Sequence, residues 1–247
     1  MNCHIPFRTG TVPILSSFFL LALSCLSTNP GSVVLGDQGV GTLKGRIVFQ
    51  GKVPPPKILP VKRDQNICGK TFSYQPLLVD ESSGGVQYVV LSLEGLPAPP
   101  GRESEELATF VNKDCAFHPR VRGAEVGQKL QLLNKDPMLH NTHIRLGKRT
   151  FINVAQVVGG RPITKQLRDV GVMRVSCDKH KFMEGFLLAF DHPYFSVTNE
   201  RGEYTLTQIP SGTWTLTIWH QTLGTLETRV VISPGKELKL DMAFPER

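Results

Sequence analysis

One short loop of this 247-residue chain carries side chains suited to binding a metal ion. Cys177, His180 and Met183 are spaced three residues apart, so one tight turn presents a thiolate, an imidazole and a thioether to a single ion. Two His, one Cys and a weak Met are the typical ligands of a mononuclear copper site that transfers electrons. Structural zinc sites use thiolates and imidazoles instead, and Met is a poor zinc ligand. The loop therefore predicts a type 1 copper site that needs one further histidine.

The second imidazole is expected from an upstream segment that contains two histidines. His140 lies 37 residues before Cys177 (177 − 140), which leaves room for a strand, a loop and a returning strand. His143, three residues further along, is the alternative ligand. Three other histidines have no such spacing and are expected at turns or interfaces: His118, His192 and His220.

The elements that position this loop are predicted to be β-strands, because apolar residues alternate with a period of two. Met173, Val175 and Cys177 share one face, which directs the Cys177 sulfur towards the interior. Residues 186–190 are apolar on both faces, as in a strand that is central in its sheet or covered by a neighbouring domain. From residue 192 onward, short alternating runs separated by turn residues predict a small antiparallel sandwich.

The N-terminus predicts export of the protein. Arg8 precedes an apolar run at 12–23 that has the length of a signal peptide and is too short for a good transmembrane helix. Two interpretations fit the end of this segment: signal-peptidase cleavage after Ser24, or a loose lipobox with lipidation of Cys25. Residues 1–24 are assigned to a signal peptide and 25–42 to a tether. We expect a periplasmic protein, or one held at the cell envelope by a lipid on Cys25.

Export also decides how the cysteines are interpreted. Four of them remain beyond residue 24: Cys25, Cys68, Cys115 and Cys177. An oxidising compartment favours disulfides, and Cys68 and Cys115 both lie beside turn-forming residues. We predict a Cys68–Cys115 bridge across 47 residues (115 − 68), which would contribute about 4 kcal/mol in the chain-entropy model. Cys177 then stays unpaired, and a metal explains an unpaired cysteine in an exported chain.

The charge pattern bears on partners. The formal net charge is +7, but the basic residues form no stripe with interleaved aromatics, so no nucleic-acid partner is expected. Six basic residues lie close in sequence to the predicted site: Lys135, Arg145, Lys148, Arg149, Lys179 and Lys181. Such a patch speeds encounter with an acidic redox partner, although a solvated loop surface has the same composition. No nucleophile motif, phosphate-binding loop or H-x-H pair occurs, so the chain is expected not to be an enzyme.

The segment at 177–185, together with Pro137–Met–Leu–His140–Asn141 upstream, resembles the copper site of the cupredoxins. Its C-x2-H-x2-M spacing is similar to that of amicyanin-type members. The resemblance implies one type 1 copper ion with His140, Cys177, His180 and Met183 as ligands. It also suggests that Asn141 steadies the ligand loop, as groups hydrogen-bonded to metal ligands do.

A second resemblance covers the chain beyond the signal peptide. Residues 115–121 (CAFHPRV) and 192–198 (HPYFSVT) resemble exported bacterial proteins, often labelled methylamine utilisation protein-like. These proteins join a cupredoxin-like domain to a carboxypeptidase regulatory-like β-sandwich. The resemblance implies an all-β chain. A cupredoxin-like Greek-key β-sandwich with an N-terminal β extension would occupy 43–191, and a small prealbumin-like or carboxypeptidase regulatory-like β-sandwich 192–247.

Together these features predict an exported protein that carries single electrons by alternating between Cu(I) and Cu(II). His180 is expected to be the exposed edge through which the electron passes. Two alternatives are a non-redox structural or ligand-binding module, and periplasmic copper handling.

Overall fold

The computed structural model describes residues 39–100 and 105–246. The predicted signal peptide, Cys25 and most of the predicted tether lie outside these residues. The described chain is all-β, as predicted, apart from one helical turn, α1 (Gln65–Cys68). No helix among the described residues is long and apolar enough to cross a membrane. The strands are β1 (Val40–Gln50), β2 (Lys57–Pro60), β3 (Thr71–Tyr74), β4 (Val90–Glu94), β5 (Ala108–Lys113), β6 (Ala116–His118), β7 (Val121–Glu125), β8 (Lys129–Asn134), β9 (His140–Leu146), β10 (Arg149–Gln156), β11 (Ile163–Gln166), β12 (Gly171–Ser176), β13 (Glu184–Phe190), β14 (Phe195–Val197), β15 (Glu203–Pro210), β16 (Gly212–His220), β17 (Gly224–Ile232), β18 (Glu237–Lys239) and β19 (Met242–Pro245).

The middle of the chain forms the sheets that position the predicted ligand loop. One sheet has the order β10-β9-β12-β13-β7, and the other has the order β11-β8-β5-β6. Side chains from both sheets, including Phe110, Leu132, Ile144 and Val175, form one buried hydrophobic cluster. The alternation read from the sequence explains this cluster, because every second residue of a strand points to the same face.

A second hydrophobic cluster joins the two ends of the described chain. β1 pairs with β15, β18 and β19, while β4 lies between β14 and β16 in another sheet. Leu43 and Ile47 of β1 are fully buried, together with Leu216 and Ile218 of β16. The sheets therefore do not follow the predicted division at residue 191. The domain assigned to 43–191 contributes β1 and β4 to the sheets of the C-terminal strands.

Strand β13 connects these two parts of the structure. It pairs with β12 on one side and β7 on the other, so it lies inside its sheet as the apolar run at 186–190 predicted. Leu187 and Ala189 face the first hydrophobic cluster. Leu188 packs with Val90 and Val121 in a small separate cluster, against which Phe186 and Trp219 also pack. One face of β13 thus packs against the first hydrophobic cluster and the other against the small separate cluster, so both faces are covered.

The β2–β3 hairpin precedes the two sheets that enclose the first hydrophobic cluster and is attached to them. β2 and β3 form a two-stranded sheet with α1 between them. Cys68, at the end of α1, forms a disulfide with Cys115, in the turn between β5 and β6, and the Cα atoms are 5.7 Å apart. Cys177 is the free cysteine of the described residues, and it is buried. The disulfide fixes this hairpin beside the ligand loop.

Candidate metal centre

Strand β12 delivers Cys177 into the first hydrophobic cluster. Met173 and Val175 are fully buried and Cys177 is 1% exposed, whereas Arg174 on the opposite face is exposed. Because side chains alternate along a strand, the residue that follows β12 continues the inward face. The inward direction predicted for the Cys177 sulfur is therefore confirmed.

The chain turns sharply after Cys177. The His180 backbone N–H lies 3.4 Å from the Cys177 sulfur, and the Met183 N–H donates to the His180 carbonyl at 2.9 Å. These two contacts fold residues 177–183 into a compact loop before β13 begins. Met183 is 1% exposed and belongs to the same hydrophobic cluster as Cys177. Its role as the fourth ligand stays a prediction.

Strand β9 brings in the second histidine. β9 pairs with β12 with Ser176 opposite His143, which places His140 beyond the end of β12 and beside Cys177. The Cys177 sulfur lies 3.9 Å from His140 Nδ1 and 3.6 Å from His180 Nδ1, and the two Nδ1 atoms are 3.1 Å apart. These three buried residues form the group of potential metal ligands found in the described part of the chain.

The spacing of these atoms matches that expected around one metal ion. Typical protein ligand distances for a first-row ion such as zinc are about 2.0–2.1 Å to nitrogen and about 2.3 Å to sulfur. At tetrahedral or trigonal angles, such distances place the ligand atoms about 3.3 to 3.8 Å from each other. The observed separations of 3.1, 3.6 and 3.9 Å bracket this range. The residues present therefore fit a mononuclear metal site.

Two carboxylates hold the histidine rings by their other nitrogens. Asp136 Oδ2 lies 2.7 Å from His140 Nε2, and Asp64 Oδ2 lies 2.8 Å from His180 Nε2. An ionised carboxylate can only accept a hydrogen bond, so each Nε2 carries the proton. In the neutral rings both Nδ1 atoms then present lone pairs towards the Cys177 sulfur. In this tautomer both histidines can bind a metal through Nδ1.

Burial favours the neutral form of His140, and a neighbouring lysine favours the ionised form of Asp64. Burial lowers the pKa of His140, the His180 ring lowers it further, and the hydrogen bond to Asp136 opposes both effects. The hydrogen bond from Lys179, whose Nζ lies 2.7 Å away, has the largest effect on Asp64 and lowers its pKa. A neutral imidazole is the form that binds a metal.

His180 is not the exposed edge expected from the sequence. Its side chain has no solvent exposure, and the carboxylate of Asp64, in the segment between β2 and β3, lies against its Nε2. That expectation was wrong because the ligand loop alone gives no indication of a covering segment 116 residues upstream. Asp64 and Asp136 were both missed. Asp136 stands four residues before His140, but only the folded structure shows its contact with Nε2.

Asn141 contacts the ligand loop as expected. It accepts a hydrogen bond from the backbone N–H of Asp178, the residue after Cys177, and donates to the Asp178 carboxylate at 3.1 Å. His143 Nδ1 lies 3.1 Å from the same carboxylate, on the opposite face of β9 from His140. His143, the alternative ligand, is thus outside the cluster. Burial raises the pKa of Asp178, but hydrogen bonds from His143, Asn141 and Asn153 lower it overall.

The other three histidines of the described residues lie away from this cluster. The His192 and His220 rings are buried and accept backbone N–H groups through Nδ1, from Tyr194 and from Thr222 and Leu223 respectively. His118, at the end of β6, is exposed. These positions agree with the predicted turn or interface roles.

A basic cleft lies beside His180. Its volume is about 540 Å³, and its apolar walls include Leu59, Pro60 and Phe182. Four basic residues line it: Lys62, Arg63, Lys179 and Lys181. Lys179 and Lys181 were part of the basic group noted in the sequence, whereas Lys62 and Arg63 come from the segment that carries Asp64. We call this feature the basic cleft.

Comparison with known proteins gives structural similarities only. No protein-family model matches the chain, and no curated protein sequence is similar to it. Amicyanin from Paracoccus versutus is 13% identical, with 40% of this chain and 97% of amicyanin covered at a TM-score of 0.31. A purple cupredoxin from Nitrosopumilus maritimus is 17% identical, with 34% of this chain and 99% of that chain covered at a TM-score of 0.30. A copper-containing nitrite reductase from Thermus scotoductus is 18% identical at a TM-score of 0.32, and the match spans 38% of this chain and a quarter (25%) of that one.

Proposed function

We propose that the protein is an exported mononuclear type 1 copper protein that carries single electrons between redox partners. The observation that supports this most directly is the convergence of His140 Nδ1, His180 Nδ1 and Cys177 Sγ at mutual distances of 3.1 to 3.9 Å in a buried site. Two imidazoles and one thiolate suit copper, and a buried thioether beside them would complete the type 1 ligand set.

Copper bound there would supply a one-electron couple between Cu(I) and Cu(II). The chain contributes a rigid ligand frame. Cys177 follows a paired strand, His140 begins another, and hydrogen bonds fix both rings at Nε2. Cys177 must lose its proton when the ion binds. Because these ligands are held by the fold, little rearrangement would accompany the change of oxidation state.

The wider setting is part of the same proposal. We propose that the predicted signal peptide directs the protein to the periplasm or, with lipidated Cys25, to the cell envelope. We propose a carrier and not an enzyme, whose redox protein partner presents an acidic surface to the basic cleft beside His180. We further propose that the sheets β10-β9-β12-β13-β7 and β11-β8-β5-β6 form a cupredoxin-like sandwich, and that the C-terminal strands form a carboxypeptidase regulatory-like one.

The visible spectrum of the purified protein with Cu(II) tests the proposal. We expect an intense blue or green charge-transfer band that is lost in Cys177→Ser, because the band requires the thiolate. Ser176→Ala is the matched control, since this neighbour lies on the other face of β12 and should keep the band. No copper binding would leave a structural or ligand-binding module. Binding without reversible reduction would favour copper handling.

A further inference from the structure

The two carboxylates that hold the candidate ligands come from distant parts of the sequence. Asp136 lies just before β9, while Asp64 stands between β2 and β3, 116 residues before His180. Each carboxylate oxygen approaches Nε2 of one histidine, at 2.7 Å and 2.8 Å. Both rings are thus fixed in the same way, although their supports belong to different elements.

The Cys68–Cys115 disulfide links these two supports. Asp136 accepts hydrogen bonds from the backbone N–H groups of Asp114, at 2.7 Å, and Cys115, at 3.0 Å. Cys115 is bonded to Cys68, whose own N–H donates to the Asp64 carbonyl at 2.9 Å. A continuous frame therefore runs from His140 through Asp136, the disulfide and Asp64 to His180.

Backbone conformations along this frame are unusual. Asp64, Asp114 and Cys115 have φ angles of 54°, 53° and 58°, in the left-handed region that residues other than glycine seldom adopt. Such conformations cost free energy and persist where the surrounding contacts fix them, often at functional sites. Three of them occur in the two turns that the disulfide joins.

We propose that Asp64 and Asp136 are positioning residues of the metal centre, and that the Cys68–Cys115 disulfide joins them into one frame that orients both ligand rings. The inference rests on the proposed function for its copper-binding consequences. A carboxylate on the far nitrogen fixes the ring tautomer and makes the imidazole a stronger ligand. Its negative charge also favours the higher oxidation state of a bound ion. Lys179 offsets part of the Asp64 charge, since its Nζ lies 2.7 Å from the same oxygen.

Asp64 is the better residue for a test. Its side chain makes no capping hydrogen bond to α1, so its replacement removes no helix cap. Asn tolerates the left-handed conformation and retains an oxygen acceptor, while Gly tolerates it and has no side chain. Asp64→Asn therefore removes the charge alone, and Asp64→Gly removes both the charge and the hydrogen bond. Asp169→Asn is a charge-matched control, because Asp169 pairs with Arg149 instead.

The first measurement uses the copper-free protein and needs no metal. Nitrogen-15 NMR of the histidine rings should show Nε2–H tautomers for His140 and His180 in the wild type and in Asp64→Asn. In Asp64→Gly the His180 ring should shift towards a mixture of tautomers, while His140 stays unchanged. A wild-type His180 ring protonated at Nδ1, or an Asp64→Gly spectrum identical to that of Asp169→Asn, would overturn the positioning role whether or not copper binds.

The second measurement compares affinities for Cu(II) and Cu(I) by competition with chelators. We expect Asp64→Asn to weaken Cu(II) binding about tenfold more than Cu(I) binding, equivalent to a rise in reduction potential of about 59 mV for one electron. Replacing Cys68 and Cys115 together by Ser should change the ratio in the same direction. Asp64→Asn should then add less to this variant than it does to the wild type, because coupled residues are not additive.

Unchanged affinity ratios in a stable disulfide variant would restrict the disulfide to a role in folding stability and contradict the frame. If the wild type binds no copper, the proposed function fails, and the tautomer measurement still decides the role of Asp64. If the disulfide variant does not fold, the Asp64 variants decide the proposal by themselves, since they leave the bridge intact.

Discussion

At the scale of single residues, the hydrogen-bond partner of each ring nitrogen determines whether a histidine can bind a metal or a proton. His140 and His180 have carboxylates at Nε2, which leaves Nδ1 available to a metal. His220 is the opposite case. Its Nδ1 accepts the N–H groups of Thr222 and Leu223, and its buried Nε2 has no hydrogen-bond partner. That ring has no acceptor for a second proton and must stay neutral in the fold.

His220 should therefore make the fold less stable in acid. Burial, with repulsion from Arg120 as a smaller contribution, lowers the pKa of His220 to about 3. Between pH 6.5 and pH 3, His220 is protonated in the unfolded chain and neutral in the folded chain. The free energy of unfolding therefore falls as the pH falls. The loss due to this residue should be about 3 kcal/mol between pH 7 and pH 4.

Urea unfolding of the copper-free protein at several pH values checks this expectation. In His220→Asn an amide oxygen can accept the same N–H groups without titrating, so the free energy of unfolding should fall less steeply in acid. The exposed His118→Asn variant serves as the control and should follow the wild type. Equal pH dependence in His220→Asn and the wild type would contradict the assignment.

At the scale of elements, β1 shows how the two ends of the chain depend on each other. β1 runs antiparallel to β15 and parallel to β18 and β19. Gly45 is the point of closest approach, because a Cβ atom there would lie only 1.9 Å from the Leu240 carbonyl oxygen. Glycine is required at position 45 because the backbone of Leu240 leaves no room for a side chain, and not because of the φ angle of Gly45. A sequence pattern read along one strand does not contain this information.

We expect Gly45→Ala to destabilise the C-terminal strands by about 2 kcal/mol, the usual cost of inserting a group into a filled space. The two tryptophans of the chain, Trp214 and Trp219, both lie in β16, so their fluorescence reports unfolding of this part. Lys44→Ala, an exposed change one residue earlier, is the control. If both variants unfold at the same urea concentration, the close packing of β1 against Leu240 is refuted.

At the scale of the whole molecule, the basic cleft places positive charge beside the candidate electron carrier. Lys62 and Arg63 come from the segment before α1, and Lys179 and Lys181 come from the ligand loop. Asp64, within the same region, already contacts both Lys179 and His180. The cleft thus brings together charges that are more than a hundred residues apart, next to the buried His180. Patches of this kind act mainly on the rate of encounter.

Two small oxidants of opposite charge can measure this effect without the natural partner. Reversing Lys62 and Arg63 to Glu should slow oxidation of the reduced copper protein by hexacyanoferrate(III) about tenfold at low ionic strength, by loss of electrostatic steering. Oxidation by the cationic tris(phenanthroline)cobalt(III) should become faster. Lys52→Glu with Lys239→Glu carries the same charge change after β1 and in β18, outside the lining of the cleft. If the two double substitutions change the oxidation rates equally, the net charge of the protein and not the basic cleft controls the encounter rate.

The local pattern of the sequence was sufficient for the features that depend on neighbouring residues. Period-two alternation predicted an all-β chain, the inward direction of Cys177 and the covered strand at 186–190, because side-chain direction in a strand follows directly from spacing. The spacing of Cys177, His180 and Met183 identified the loop, and a histidine upstream supplied the remaining imidazole. These inferences need only the geometry of one strand and one turn.

Only the tertiary structure decided the features that depend on distant segments. Strand pairing placed β1 with β15 across the predicted boundary at 191, and the β2–β3 segment brought Asp64 onto His180. Neither contact leaves a periodic signal, since a hydrogen bond between residues 116 positions apart imposes no pattern on either stretch. The sequence by itself determined which residues offer ligands. The fold decided that His180 is buried, that both rings are held by carboxylates, and that a disulfide connects the two supports.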